Sequence, residues 1–283
     1  MELKIVAERA GRLSSFLKGE LKMSTGLVNR LKWGDAIRVN GGPQHTDFSV
    51  GPGDVITVRL DEPAVEYPPQ QGELTILYED DHILAVDKPA GMLIHPSRSK
   101  NDGTLANYVL GYYQKTGQDS AFHPVTRLDR DTFGVVLLAK NSHIHSLLQD
   151  TALQKTYHAL VFGGPAEDSG IIDAPIARRE LPSLLRYISP EGKPSVTEFA
   201  VLQRGRICKL ALKPITGRTH QLRLHCCHMG FPILGDPQYN SEESKAYSDT
   251  LGLTHQLLCA YSLEFSHPIT GEMLFITTKM DIK

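Results

Sequence analysis

The sequence lacks most of what marks a secreted, membrane-embedded or nucleotide-dependent protein. It has four cysteines in 283 residues, at 208, 226, 227 and 259, with no Cys-x-x-Cys pair. That usage fits reduced thiols of a cytoplasmic protein and speaks against a disulfide framework. No apolar run nears the roughly 20 residues that span a bilayer. The longest core-like run, Val135-Val136-Leu137-Leu138-Ala139, is strand-sized. Met1-Glu2-Leu3-Lys4 carries charge where a signal peptide needs an apolar stretch, so export is not expected. There is no Gly-x-Gly-x-x-Gly and no phosphate-loop signature, hence no pointer to a nucleotide cofactor. No internal repeat is visible. A charge excess is missing as well: 30 Lys and Arg face 32 Asp and Glu, a net charge of -2. No global field announces a polyanionic partner.

What is there is globular: 41% hydrophobic and 22% charged residues. The length allows one large domain or two smaller ones. Charge is uneven along the chain, because residues 1–40 hold eight basic against four acidic side chains. Such a basic stretch on a neutral chain hints at a polyanionic partner. Leu13, Phe16, Leu17 and Leu21 recur at helical spacing, and Ser24 is placed to cap a second helix carrying Leu27, Val28 and Leu31. Ile37 and Val39 alternate as in a strand and run into Asn40-Gly41-Gly42, a turn. Residues 1–62 are therefore expected to form a small module, 63–72 a proline-stiffened linker, and 73–283 a second domain.

After Gly72 the texture is of short strands broken by turns, at 76–78, 83–86, 134–139, 157–162, 195–202, 207–213, 260–265 and 273–278. Helices are expected near 104–113, from Asn141 to near Gln154, and from Thr216-Gly217 to about His228. Many strand pairs with few helices predict an α+β domain with a mixed, mostly antiparallel sheet, not a doubly wound fold.

Three segments could carry chemistry. Arg127-Leu128-Asp129-Arg130-Asp131-Thr132 sets a carboxylate between guanidiniums, which keeps it ionised and fit to act as nucleophile or base. From charge pattern alone, a solvated loop with surface ion pairs is the better reading. Thr216-Gly217-Arg218-Thr219-His220-Gln221-Leu222-Arg223-Leu224-His225 offers arginine forks for a carboxylate or phosphate, or is an ordinary basic helix. His220, His225 and His228 beside Cys226 and Cys227 invite a metal reading. Their spacing does not match His-Glu-x-x-His, and helix-surface or core histidines account for them better. Tyr157 is a packing tyrosine unless it faces the acidic segment.

Taken together and in order, these blocks resemble the RluA-type pseudouridine synthase family. Thr126-Arg127-Leu128-Asp129-Arg130-Asp131-Thr132-Phe133-Gly134 is similar to the family's His-Arg-Leu-Asp-x-x-Thr-Ser-Gly signature, with Thr126 for the usual histidine and Phe133 for the usual serine or threonine. Further matches are Val86 to Met92, Lys155 to Val161, Ser189 to Pro194, 216–236 and His267 to Glu272, so the likeness covers about 72–278. Arg12 to Leu17 and Val39-Asn40-Gly41 resemble an S4-like RNA-binding module.

The resemblance implies isomerisation of uridine to pseudouridine in structured RNA, ribosomal or transfer, with no cofactor and no metal. A cytoplasmic monomer is expected. It makes Asp129 the catalytic carboxylate, with Tyr157 beneath the base and Arg218 pairing with Asp129. Arg127 would take the place of the extruded nucleotide. Thr132, His220, Gln221, Arg223 and Leu224 would bind substrate. Arg12, Lys18, Lys22, Arg30, Lys32 and Arg38 of the S4-like module would meet RNA. The alternatives are a non-catalytic RNA-binding protein of the same fold and a metal-dependent hydrolase built on the histidines.

Overall fold

Residues 2–60 form two helices against a small sheet because their apolar side chains point to one interior. The computed structural model of the chain describes residues 2–60, 67–97, 101–180, 185–280 and 282. In chain order this first part runs β1 (Glu2–Val6), β2 (Gly11–Arg12), α1 (Leu13–Gly19), α2 (Thr25–Leu31), β3 (Ile37–Val39), β4 (Gly42–Pro43), β5 (Ser49–Val50) and β6 (Val55–Arg59). The strands order as β1-β6-β3-β4, and β2 pairs with β5. Ser24 caps α2 by accepting the Leu27 amide. Leu13, Phe16 and Leu17 of α1, Val28 of α2, and Ile37, Ile56 and Val58 of the sheet share one core. Asn40 and Gly41 both adopt positive φ, the geometry of a tight hairpin turn. β1 is not anticipated above, although Leu3 turned in and Glu2 and Lys4 turned out are the alternation of a half-buried strand.

The boundary expected at 62/63 lies outside the described residues. The second half of the expected linker, 67–72, does not cross open space. Gln70 N donates to Asn107 O, Asn107 Nδ2 to Pro68 O, and Gln71 Nε2 to Gly111 O. A Cβ on Gly111 would sit 1.9 Å from Gln70 O, so only glycine admits this strap.

The larger part runs β7 (Thr75–Glu79), β8 (Ile83–Lys88), α3 (Leu105–Thr116), β9 (His123–Pro124), β10 (Phe133–Ala139), α4 (Ser142–Gln149), β11 (Gln154–Phe162), β12 (Ser169–Asp173), β13 (Ile176–Arg178) and β14 (Arg186–Ile188). It ends with β15 (Val196–Gln203), β16 (Ile207–Pro214), α5 (Gln221–His228), α6 (Glu242–Thr250), β17 (Leu258–Ser266) and β18 (Met273–Thr277). The main sheet has ten strands, eight in the order β12-β15-β16-β11-β17-β10-β8-β7, with β18 on β17 and β9 on β10. Every pairing in it is antiparallel except β10 with β17. The α+β class with a mixed, mostly antiparallel sheet is as the sequence leads one to expect.

β8 and β10 are apolar on both faces because both are covered. Leu84, Val86, Val136 and Leu138 pack under α3, while Ile83, Ala85, Leu137 and Ala139 pack under α4. The other half of the sheet is covered by α5 through Leu222 and Cys226, against Val161, Leu210 and Leu212. The halves meet at β10-β17-β11. Two helix ends differ from expectation. α4 stops at Gln149, because the chain turns to enter β11 at Gln154. α5 starts at Gln221 rather than Thr216, for a reason found in the site itself.

Candidate active site

Three elements converge where the two halves of the sheet join: the loop before β10, the start of β11 and the start of α5. They enclose a cavity of about 420 Å³, within the range of small-molecule sites. Its walls include Arg127, Asp129 and Thr132 from the loop, Lys155 and Tyr157 from β11, and Arg218, His220 and Arg223 around α5. The acidic and basic segments, about 90 residues apart in sequence, thus face one space.

The loop is tied down at both ends. Thr126 is buried and its Oγ1 accepts the Leu137 amide at 2.9 Å, so this threonine serves the β-edge that carries the loop. Thr132 donates its amide to Asp129 O, and its hydroxyl accepts from Gln256 Nε2 at 3.2 Å. At Gly134 φ is +110°, and a Cβ there would lie 2.3 Å from Ala260 O. Only glycine lets β10 approach β17 here. Beneath the loop, Lys88 is fully buried and donates to Pro89 O, Met92 O and Arg130 O, all three of its protons placed. Burial pulls its pKa down to about 8, against the opposing pull of Asp131 and Asp129.

The Asp129 carboxylate accepts from Arg223 Nη1 at 3.1 Å. The same guanidinium grips the fully buried Asp236 carboxylate with Nε at 2.6 Å and Nη2 at 2.8 Å. One arginine therefore neutralises a buried acid with two donors and presents a third to Asp129. Tyr239 packs its ring 5.2 Å from the guanidinium carbon. Burial opposes the Arg223 charge, but Asp236 and then Asp129 outweigh it, and its pKa is raised. Arg218, expected to pair with Asp129, instead donates Nε to Pro194 O at 3.2 Å and is exposed. The cause is the bend at 216–220, which ends before the helix and leaves Arg218 on the cavity wall but bonded to Pro194 O, while Arg223, inside the first turn of α5, reaches the acid.

That bend is held by Gln221. Its Oε1 accepts from Thr216 Oγ1 and Arg218 N, and its Nε2 donates to Val196 O and Thr197 Oγ1. All four hydrogen-bonding positions of the amide are used, so Gln221 acts as a clamp at the wall of the cavity where it is expected to meet substrate. It also explains why the helix begins at 221. His220, just before it, adopts φ 58°, uncommon for a side chain with a Cβ. Its Nδ1 lies 2.9 Å from Tyr239 Oη and its Nε2 4.0 Å from Asp129 Oδ2. Burial lowers the His220 pKa, with Asp129 opposing. Leu224 packs with Ile176 and Tyr239, whereas Leu222 lines the cavity. Side chains two positions apart on a helix point about 200° apart, so Leu224 turns away where Leu222 faces in.

Tyr157 sits at a register shift between β11 and β17, and burial followed by the nearby Asp129 raises its pKa. Lys155, two residues earlier on the same strand face, lines the same cavity, and burial lowers its pKa. Lys155 and Lys88 stand in the blocks that carry the resemblance but are not among the site residues it implies. A lysine closing the apolar run 83–88 and one spaced by two from Tyr157 were the available signals. The histidines diverge. His225 is in the core, bonded to Thr197 Oγ1 and Ala174 O, while His228 is exposed at the far end of α5. Among the described residues no group of three or more His, Cys, Asp or Glu side chains is arranged to hold a metal. No helix among them is long and apolar enough to cross a membrane.

In the first module, Lys22 donates to Pro268 O at 3.3 Å, so it is engaged with the larger domain. Arg12, Lys18, Arg30 and Arg38 are exposed, and Lys32 is half-buried.

The sequence pattern of the RNA pseudouridylate synthases matches residues 82–228, which hold the Asp129 loop, Tyr157 and α5. A Bacillus subtilis (strain 168) protein, the uncharacterized RNA pseudouridine synthase YjbO, is 34% identical over 262 residues, 90% of each chain. The ribosomal large subunit pseudouridine synthase C of Vibrio cholerae serotype O1 is 31% identical over 290 residues, 95% of this chain and 90% of its own. Among solved structures, human RNA Pseudouridylate Synthase Domain Containing 1 has a TM-score of 0.61 at 27% identity, over 75% of this chain and 86% of its own. With the Asp129 cavity inside the matched stretch and relatives aligned over nine-tenths of its length, the chain belongs to the RNA pseudouridine synthase family, isomerases that act on RNA.

Proposed function

We propose that this chain converts specific uridines of large-subunit ribosomal RNA to pseudouridine, as a cytoplasmic monomer, with Asp129 as the essential carboxylate. The reading rests above all on one observation: the Asp129 carboxylate, braced by Arg223, faces a cavity shared with Tyr157. The name of the Vibrio cholerae relative supports the ribosomal substrate, and four free cysteines fit a reducing compartment. The reaction is redox-neutral. The N1–C1′ bond breaks, a C5–C1′ bond forms, and the proton lost from C5 is balanced by one gained at N1.

Positive character builds on the sugar as the glycosidic bond breaks, and an ionised carboxylate beside it stabilises that charge. Arg223 orients Asp129 and sets a positive charge beside it without consuming both of its oxygens. Tyr157 lies under the detached base, where its raised pKa keeps the phenol protonated and able to donate. Arg127 is exposed at the cavity wall and fills the gap left when the nucleotide leaves its stack. Arg218, His220 and Thr132 complete the substrate wall. Residues 1–62 act as an S4-like module that contacts the surrounding RNA.

The test is pseudouridine mapping of cellular RNA with wild-type chain, with Asp129→Asn and with none. Asparagine is nearly isosteric with aspartate, so folding should persist while turnover falls by ~10⁴-fold, about 5.5 kcal/mol of transition-state stabilisation. More than a tenth of wild-type activity in the variant would overturn the assignment. Modification confined to transfer RNA would move the substrate but keep the chemistry.

A further inference from the structure

The chain has one tryptophan, and it is exposed. Trp33 follows α2 in the turn before β3 and is 77% exposed, the most of any large hydrophobic side chain described. An aromatic ring of this size usually covers or is covered. Here Lys32 Nζ lies 5.1 Å from the indole centroid and the His45 ring 5.0 Å away at 47°. His45 is in turn fixed by Asp47 at 2.7 Å. Its described ring neighbours are both polar, Lys32 and His45, and Gly34 and Asp35 follow it in sequence. A protein-docking anchor is expected in a dry, apolar neighbourhood. A ring this exposed with a cation over it is instead what a nucleotide recognises, with the base on the ring and the phosphate at the ammonium.

We propose that Trp33 is a stacking platform for an unpaired nucleobase of the RNA substrate, with Lys32 meeting the adjoining phosphate. This rests on the RNA-modifying reading above and adds a contact outside the catalytic cavity, whose walls do not include Trp33. The platform selects single-stranded segments, because bases inside a duplex already have both faces stacked.

A sole tryptophan makes the test direct. The full chain is titrated with a 12-residue oligouridylate, a 12-residue oligoadenylate and a 12-base-pair RNA duplex. Trp33 fluorescence should be quenched by the single strands, more by adenylate, whose larger ring stacks better, and little by the duplex. With end-labelled oligomers read by anisotropy, Trp33→Ala should weaken single-strand binding by roughly 5- to 150-fold while Trp33→Phe keeps most of it. An exposed side chain carries little of the fold, so both variants should keep the wild-type circular dichroism. Unquenched fluorescence at saturation, or equal affinities for wild type and Trp33→Ala, overturns the proposal. If the wild type still forms pseudouridine in ribosomal RNA, the functional reading survives that failure. A wild-type chain that binds no oligomer overturns the platform too, and the isomerase assay then decides whether the reading beneath it falls as well.

Discussion

At Asp129 the balance of charge depends on one guanidinium shared between two carboxylates. Removing it by Arg223→Leu leaves Asp236 buried and unpaired, which costs about 3–5 kcal/mol for a broken buried pair. Thermal unfolding should therefore shift markedly, together with loss of turnover. Arg218→Ala should leave stability within about 0.5 kcal/mol, since Arg218 is exposed, and lower kcat/KM alone. Calorimetry and kinetics on the same two variants separate the brace from the substrate-facing arginine, and equal stability losses would refute this division. Lys88 gives a pH signature. Its folded pKa, about 8, lies below the ordinary lysine value near 10.4. Below pH 8 both folded and unfolded chains hold the proton, and the cost of burying the charge is fully present. Between about 8 and 10.4 the unfolded chain alone keeps it, so the contribution of Lys88 to stability rises with pH. Urea unfolding of wild type and Lys88→Met should show a difference that grows in the wild type's favour across that window. A difference that shrinks would contradict the burial.

Single backbone positions decide how elements meet. Gly134→Ala would place a methyl 2.3 Å from Ala260 O at a φ of +110° that alanine avoids, so β10 and β17 must part. The expected loss is at least ~3 kcal/mol, read as a lower denaturant midpoint, and a midpoint unchanged from wild type would show that the crossing can relax. Much at this scale was legible in advance. Strands 83–88 and 133–139 are near-continuous apolar runs, and α2 carries its own cap at Ser24. α6 was not legible, because Glu242–Thr250 has no apolar stripe. It is set by a capping box at Ser241 and Ser244 and by Ser248 Oγ, which accepts the Gly235 amide. In the site, Asp129, Tyr157 and Arg223 could be nominated from motif order. That Arg223, and not Arg218, reaches Asp129 follows from a bend held by Gln221, a tertiary clamp invisible to local pattern.

The whole molecule is stitched by contacts that set where it can be cut. The basic module touches the larger domain through Lys22 and Pro268, and the strap 67–72 belongs to α3. A chain starting at Tyr67 should fold and, on short RNA at saturating concentration, keep its turnover, because Asp129, Tyr157 and Arg223 all remain. A chain starting at Glu73 also loses the strap, leaving Gly111 and Asn107 without partners at Gln71 and Pro68, so it should unfold at a lower temperature. RNA affinity should report a different loss. Each phosphate contact removed lowers the slope of log K against log[salt] by roughly 0.7–0.9. Both truncated chains lack Arg12, Lys18, Arg30, Lys32 and Arg38 alike, so both should lose the same slope while differing in stability. Lys22 is lost from both as well, and it should count in that slope, since Pro268 O takes only one of its three ammonium donors and leaves its charge in place. Two truncations with equal thermal midpoints would show that the strap is an ordinary linker after all, and a salt slope equal to that of the full chain would show that the basic module does not touch RNA.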